Sequence, residues 1–283
     1  MFRDKKTLLF FLMPGLIGIM LFWVLPFLGG IFFSFTDGTV HQRFVWFENY
    51  KRIWQNAVFI LGLRNTMELS LICAPIITIV SFGVADLLWK LKEESSLIRS
   101  VLLLPYLIPS AALVMVWSLL FDYGGVANRL MQILGLPRVF WLEGPMMRLP
   151  IILLYIWKNI GFSIVIYSAA IQALPDEYYD VARIEGANAT QQQFFITLPL
   201  IKKTTLTIFI LAWINALKIF KEVYFLSGSY PAEEVYTLQH YMNNKYISFD
   251  FQDVAAAAYS LAMVVFMLFL LLYIVQRGER DEI

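Results

Sequence analysis

Two asparagines, Asn159 and Asn215, each stand about ten residues into an apolar run, and each follows a tryptophan by two positions, Trp157 and Trp213. An amide offers two donors and an acceptor, which suits the hydroxyls of an uncharged polar solute, and an indole offers an apolar face for a ring. Polar groups near the middle of a membrane-spanning helix are costly, so they mark either a solute path or a hydrogen bond between helices. Lys158, next to Asn159, adds a cation at that depth, which needs an acidic partner. That partner is an acid on the solute, on another subunit, or on a neighbouring helix such as the one carrying Glu222. The spacing i, i+3, i+7 predicts Asn215, Lys218 and Glu222 on one helical face. That face either lines a cavity, or Lys218, Lys221 and Glu222 snorkel to the outer surface and pair there.

Other chemistries lack their residues. His41 and His240 are the only histidines, both in loops, and neither H-E-x-x-H nor G-x-S-x-G occurs. No G-x-x-x-x-G-K-[ST] is present, so the chain has no phosphate-binding loop of that kind. The one cysteine, Cys73, lies in an apolar run, which excludes a disulfide framework and a CxxC metal or redox pair. A net charge of +1 with scattered basic residues gives no electrostatic case for nucleic acid. We expect no catalytic residue, no metal and no cofactor in the chain itself.

The elements that must position these residues are set by hydrophobicity. Of the 283 residues, 59% are hydrophobic and 15% charged, against about 45–50% apolar in soluble domains. A span needs roughly 20 mostly apolar residues. Six stretches qualify, at about 8–35, 66–89, 101–121, 149–172, 205–226 and 254–276, and they satisfy their backbone in lipid only as helices. The first is too long for a signal peptide and is read as an uncleaved helix. The expected fold is therefore an all-α integral membrane protein of six helices forming one domain over 1–283. Pro105 and Pro109 break the hydrogen-bond ladder of the third stretch and predict a kink there. Lys and Arg counts in the loops lean toward both termini being cytoplasmic: Arg3, Lys5, Lys6, Lys90, Lys92, Arg99, Arg183, Lys202, Lys203, Arg277 and Arg280 on that side, against Arg43, Lys51, Arg52, Arg64, Arg129, Arg138, Arg148 and Lys245. Asp86, near the end of the second helix, is read as solvated or paired and has no assigned role.

The connection over about 173–203 is long for a helix linker and ordered in its signals. Pro175 and Asp176 mark a helix start, acids at 176, 177 and 180 favour its positive end, and Gly186 can supply a left-handed stop. A second segment runs to Leu198, where Pro199 stops or redirects the chain. This loop resembles the EAA motif of binding-protein-dependent ABC importer permeases. Asp180, Val181 and Ala182 fill its first three places, Gly186 its glycine, and Ile196, Leu198 and Pro199 its Ile-x-Leu-Pro ending. Asp180 replaces a glutamate and Val181 an alanine, so the charge sits on a shorter arm and the helix face is bulkier.

The likeness to the carbohydrate branch of these permeases covers almost the whole chain. It includes Pro14 to Pro26, Ser34-Phe35, Phe47-Glu48-Asn49-Tyr50, Asn65-Thr66, Arg99 with Leu104-Pro105 and Pro109, Gly124-Gly125 with Asn128, and Ala216-Leu217 through Ser227-Gly228 and Pro231. The family's usual pair of glycines before that last proline is absent here. The resemblance implies a type I importer permease of a bacterial plasma (inner) membrane. Its expected partners are membrane lipid, a second homologous permease, two ATPase subunits carrying ATP and Mg, an extracytoplasmic solute-binding protein, and a carbohydrate solute. It also implies that 177–199 couples to the ATPase through Glu177, Asp180, Val181, Ala182, Arg183, Glu185, Gly186, Ile196, Leu198 and Pro199. Trp157, Lys158, Asn159, Trp213, Asn215 and Lys218 are the expected solute contacts. The alternative is a self-sufficient secondary transporter of a small polar solute, which calls for a paired repeat or half-length helices.

Overall fold

The computed structural model describes residues 5–39, 41–91 and 95–281, with side chains described over 9–39, 41–91 and 96–270. Of the basic residues used for orientation, Arg3 and Lys92 lie outside the described residues. In chain order the helices are α1 Lys5–Ile19, α2 Leu25–Ser34, α3 Glu48–Trp54, α4 Ala57–Lys90, α5 Ser95–Leu107, α6 Ser110–Phe121, α7 Val126–Ile133, α8 Arg148–Gln172, α9 Glu177–Ile184, α10 Ala189–Gln192, α11 Leu198–Leu200, α12 Lys202–Ala216, α13 Lys221–Ser227, α14 Leu238–Ile247 and α15 Phe251–Asp281. A π-helical turn at Met20–Val24 joins α1 to α2. Five helical stretches among the described residues are long and apolar enough to span a membrane. A sixth is counted when Ala189–Leu200 and Lys202–Ser227, bent by 77°, are taken together.

Two of the expected spans are interrupted. The stretch 101–121 is two helices separated at Ile108–Pro109, not one kinked helix; Pro109 is extended (φ −55°, ψ 136°) and starts α6 afresh. The stretch 205–226 stops at Ala216. Lys218 and Ile219 then donate to Asn215 and Ala216 three residues back (3.0 and 3.1 Å), and Phe220 (φ −142°, ψ −50°) leaves helical geometry before α13 begins. The tightened turn ends the helical register, so the predicted common face of Asn215, Lys218 and Glu222 does not exist.

The chain divides into two compact units. In the unit built from residues up to Ile60 together with those from Tyr241 onward, α15 packs on α2 and α3. Gly30 lets Tyr259 lie against the α2 backbone, since a Cβ there would be 2.7 Å from the tyrosine hydroxyl. The two landmarks Ser34-Phe35 and Phe47-Glu48-Asn49-Tyr50 meet. Buried Asn49 donates to the Ser34 and Thr36 carbonyls (3.0 and 2.9 Å), satisfying acceptors left over at the end of α2, and Tyr50 donates to Ser34 Oγ (2.8 Å).

In the unit spanning Leu61–His240, α4, α8 and the start of α12 enclose a core of Ala85, Leu88, Ile164, Tyr167, Ile171, Ile201 and Ile208. Helix α5 crosses α8 at Gly161, where a Cβ would stand 2.0 Å from the Leu102 carbonyl oxygen. Small residues permit such close backbone approach between membrane helices. We expect Gly161→Ala to force the helices apart and to destabilise the chain by about 1–3 kcal/mol, measured as a lower midpoint in detergent unfolding. Asn65 donates to the Glu233 and Tyr236 carbonyls (2.6 and 2.9 Å), and Thr66 accepts from Leu238 N (2.9 Å), tying the loop after α13 to α4. Asn128 fastens the loop after α7, accepting from Val139 N (2.8 Å) and Trp141 Nε1 (3.1 Å).

His240 is fully buried. Its Nδ1 accepts from Thr237 N (3.2 Å), so the ring proton belongs on Nε2, and the ring packs on Phe220 and Tyr236. Burial holds its pKa down at about 4, because the charged form is penalised there. With the folded value below the unfolded one, the stabilisation is fully present above the unfolded pKa of about 6.5 and is lost as pH falls toward 4. Wild type is expected to lose thermal stability over that window, while His240→Gln loses less.

Candidate solute cleft and coupling surface

Asn159 and Asn215, far apart in sequence, face the same narrow cleft, whose enclosed space is about 10 Å³, room for a single water. On α8 the lining residues Tyr155, Asn159, Phe162, Ser163 and Ile166 recur at helical spacing, and on α12 so do Ile208, Leu211, Ala212 and Asn215; Ile77 and Tyr106 complete the wall. Tyr106 and Phe162 stack at 5.2 Å with their planes 18° apart. The Asn159 amide donates to its own helix, at Tyr155 O (2.7 Å), and not to another helix.

The other expected solute contacts lie elsewhere. Trp213 is 3% exposed and donates through Nε1 to Ser70 Oγ (3.1 Å). Trp157 stacks on Trp117 at 5.6 Å, whose own Nε1 donates to Pro150 O (2.9 Å). Neither indole lines the cleft, because successive positions on α8 and α12 point to different faces and only 159 and 215 share the opening. Lys218 is exposed, in the turn that ends α12.

Lys158 has its partner within the chain. Its Nζ lies 2.7 Å from Glu222 Oε1, with the two side chains 14% and 7% exposed. Ser110 Oγ donates to the same carboxylate oxygen (3.1 Å) and contacts Lys158 Nζ. Ser110 opens α6 just after the Pro109 break, and Glu222 sits in the first turn of α13 just after the Phe220 break. A buried ion pair thus joins the middle of α8 to the two places where the helical ladder stops, and the carboxylate lies at the positive end of α13.

The connection after α8 is ordered. α9 ends in a Schellman turn: Gly186 at φ +84°, with Gly186 N donating to Arg183 O (3.1 Å) and Ala187 N to Ala182 O (2.9 Å). Asn188 and Gln191 then form a reciprocal capping box at the start of α10, a pairing the sequence reading missed although N-x-x-Q is its signature. Pro199 does not stop the chain. A π-helical turn at Gln193–Thr197 precedes it, the missing amide falls in the first turn of α11, and the redirection comes at Ile201.

The inner side of this segment is fixed to α4. Buried Tyr179 packs its ring on Trp89 (4.6 Å) and shares a hydrogen bond with Thr197 (3.0 Å). Asp86, given no role from sequence, is 2% exposed; it pairs with Lys90 (2.6 Å) and accepts from Gln193 Nε2. Of the expected coupling residues, Ala182 is buried, Ile196 and Leu198 are half-buried, and Glu177, Asp180, Val181, Arg183, Glu185, Gly186 and Pro199 are exposed. Asp180 and Arg183 form a solvent-facing pair at 3.2 Å. The outer face is apolar. Ile184 is 87% exposed, Phe195 77%, Phe194 60% and Val181 55%. The sequence reading overlooked Ile184, Phe194 and Phe195, although three large apolar residues in a charged loop were the available signal.

A Cβ at Gly186 meets nothing within 4 Å, so a substitution there is opposed by its backbone angle and not by crowding. Gly186→Val is expected to leave membrane insertion intact while loosening the end of α9, seen as faster protease cleavage in 184–190.

Apolar helices long enough to cross a membrane, a small cleft that carries two amides among apolar and aromatic side chains, and a braced loop that exposes apolar residues fit a transport permease. The chain belongs to the family of binding-protein-dependent transport system inner membrane components, matched over residues 77–278. It is 28% identical to the trehalose/maltose transport system permease protein MalF of Thermococcus litoralis, covering 99% of this chain and 97% of that one. It is 28% identical to the lactose transport system permease protein LacF of Rhizobium radiobacter, with 95% and 94% covered. Among solved structures it resembles a chain of a bacterial ABC transporter involved in import of the acidic polysaccharide alginate, with a TM-score of 0.84, 23% identity and 96% of each chain covered.

Proposed function

We propose that this chain is one permease subunit of an ATP-driven importer that carries a carbohydrate across a bacterial inner membrane, with both termini cytoplasmic. It pairs with a second, homologous permease, two ATPase subunits that bind ATP and Mg, and an extracytoplasmic binding protein that delivers the solute. The observation that carries the reading is the loop 177–199: its inner side is fastened to α4 through Tyr179, Thr197, Gln193 and Asp86, while its outer side exposes Val181, Ile184, Phe194 and Phe195. Apolar surface of this kind, on a segment that is itself rigidly held, suits a protein partner that pushes on it. Closure of an ATPase dimer on ATP then moves α4, α8 and α12 together. The names of relatives such as LacF and the trehalose/maltose permease support a sugar as cargo, and amides beside a stacked aromatic pair suit one.

The test is purification of the tagged chain with its neighbouring-subunit partners, followed by uptake in proteoliposomes. A P-loop ATPase should co-purify, and uptake of a sugar should require ATP inside the vesicle lumen that corresponds to the cytoplasm. Uptake by the chain alone, without ATP, would refute the reading in favour of a self-sufficient transporter.

A further inference from the structure

We infer that two exposed aromatic turns, 44–47 and 246–251, lie in the lipid headgroup layer of the leaflet away from the termini and set the depth of the first and last spans. The inference needs only that α1–α2 and α15 cross the membrane, and it holds whatever the cargo.

Three observations carry it. First, both turns present rings outward: Phe44, Trp46 and Phe47 in one and Tyr246, Phe249 and Phe251 in the other are exposed, Trp46 by 68% and Phe249 by 78%. The first group is braced from beneath. Trp46 meets Phe44 edge-on at 4.9 Å, Phe44 stacks on Phe35 at 5.8 Å, and Phe35 lies against Tyr50, which bonds Ser34 at the end of α2. Second, the backbone is strained where it turns these rings out. Three residues other than glycine have left-handed φ among the described residues, and two of them are Trp46 (φ 54°) and Phe249 (φ 60°); a bulky side chain is an outlier in that region. Phe249 takes the place in a Schellman turn that Gly186 fills after α9, its N–H donating to Tyr246 O (3.0 Å) and Asp250 N to Lys245 O (3.0 Å). Strain of this kind points to a role for the ring outside the fold.

Third, the two turns stand at one level. One follows the span Leu9–Ser34 and the other opens the span Phe251–Leu270. Gln252 donates to Asp37 O (3.4 Å), and Arg52 on α3 pairs with buried Asp253, fastening the two turns together. Trp and Tyr collect at the membrane–water boundary, where an apolar ring body and a polar edge both find their medium. Rings spread at one level around the mouths of two spans match a plane of headgroups, whereas a docked protein would meet a single patch.

The experiment attaches a nitroxide at Phe47→Cys or Ile247→Cys in the purified complex containing this chain, reconstituted in phosphatidylethanolamine/phosphatidylglycerol vesicles; Cys73 is buried and stays unlabelled. Collisions are read with oxygen, which concentrates in lipid, and with a water-soluble nickel chelate. At both sites the two collision rates should agree within about twofold, the mark of the headgroup layer. A large excess of chelate collisions, meaning a turn open to water, overturns the inference, and so does the loss of both kinds, meaning a turn covered by protein. Trp46→Ser/Phe249→Ser should change the ratio at a third nitroxide, at exposed Met263→Cys on α15, by about threefold or more, while Trp46→Tyr/Phe249→Tyr should leave it in place. An unmoved ratio in the serine variant overturns the anchoring role. Phe249→Gly should leave the unfolding midpoint in detergent level or raised, because glycine takes the left-handed angle freely. A lowered midpoint would mean that the ring is held by packing within the chain, and would overturn the inference as well.

Discussion

Lys158→Met will destabilise the permease by about 3–5 kcal/mol, because it leaves the Glu222 carboxylate buried with only Ser110 to satisfy it. Glu222→Gln will cost a comparable amount by stranding the ammonium group. The double replacement Lys158→Met/Glu222→Met should recover most of the loss, since apolar groups of similar volume fill the site without an uncompensated ion. The effect should be large because the 2.7 Å pair sits where α6 and α13 begin. The carboxylate and hydroxyl there stabilise two helix starts as well as each other. Unfolding midpoints of the two single variants and the double variant in detergent, arranged as a double-mutant cycle, give the coupling directly. Three equal, small changes would mean that the helix breaks are held by packing alone.

The second large effect is expected at the loop surface. Ile184 is 87% exposed at the end of α9, next to the Gly186 turn. Ile184→Glu removes an apolar anchor and places a carboxylate where a partner must desolvate it. Interface anchors of this kind contribute about 2–4 kcal/mol, so ATPase capture should weaken roughly 30- to 1000-fold. Insertion and stability of the chain itself should be unchanged, because the side chain touches little of the fold. Ala182→Glu, two residues away and only 8% exposed, should behave oppositely and damage the loop first. Binding of the ATPase measured against each variant, alongside its unfolding midpoint, separates the two. Full ATPase capture by Ile184→Glu would place the docking surface elsewhere, with Phe194 and Phe195 the next residues to change.

Much of this protein follows from its sequence through short-range physics. Hydrocarbon length and apolar composition dictate membrane helices wherever roughly 20 such residues run together. Gly186 and the acids around Asp176 mark the bounds of α9, because a left-handed residue and a helix dipole act within one turn. The central position of Asn159 follows from counting along α8, and Glu222 is one partner the sequence offers Lys158; Asn215, central in its apolar run, stands instead one residue before the end of α12. The landmarks Asn49, Asn65 and Asn128 could be noticed in the sequence, but not what they do. Their amides reach backbone 11, 15 and 171 residues away, distances no local rule spans.

Tertiary structure alone decided the rest. Proline content pointed to a kink near 105–109, yet complete interruption at Ile108–Pro109 requires that α5 pack on α8 at Gly161 while α6 packs on α13. The break after Ala216 carries no proline or glycine signal, so the face shared by Asn215, Lys218 and Glu222 looked sound from periodicity and was dissolved by the turn over 217–220, which tightens at Lys218 and Ile219 and leaves helical geometry at Phe220. For the same reason Trp157 and Trp213, plausible solute contacts by proximity in sequence, turn to Trp117 and Ser70. A helix fixes which residues share a face, but only the neighbours it packs against determine which face opens onto a cleft and which is sealed.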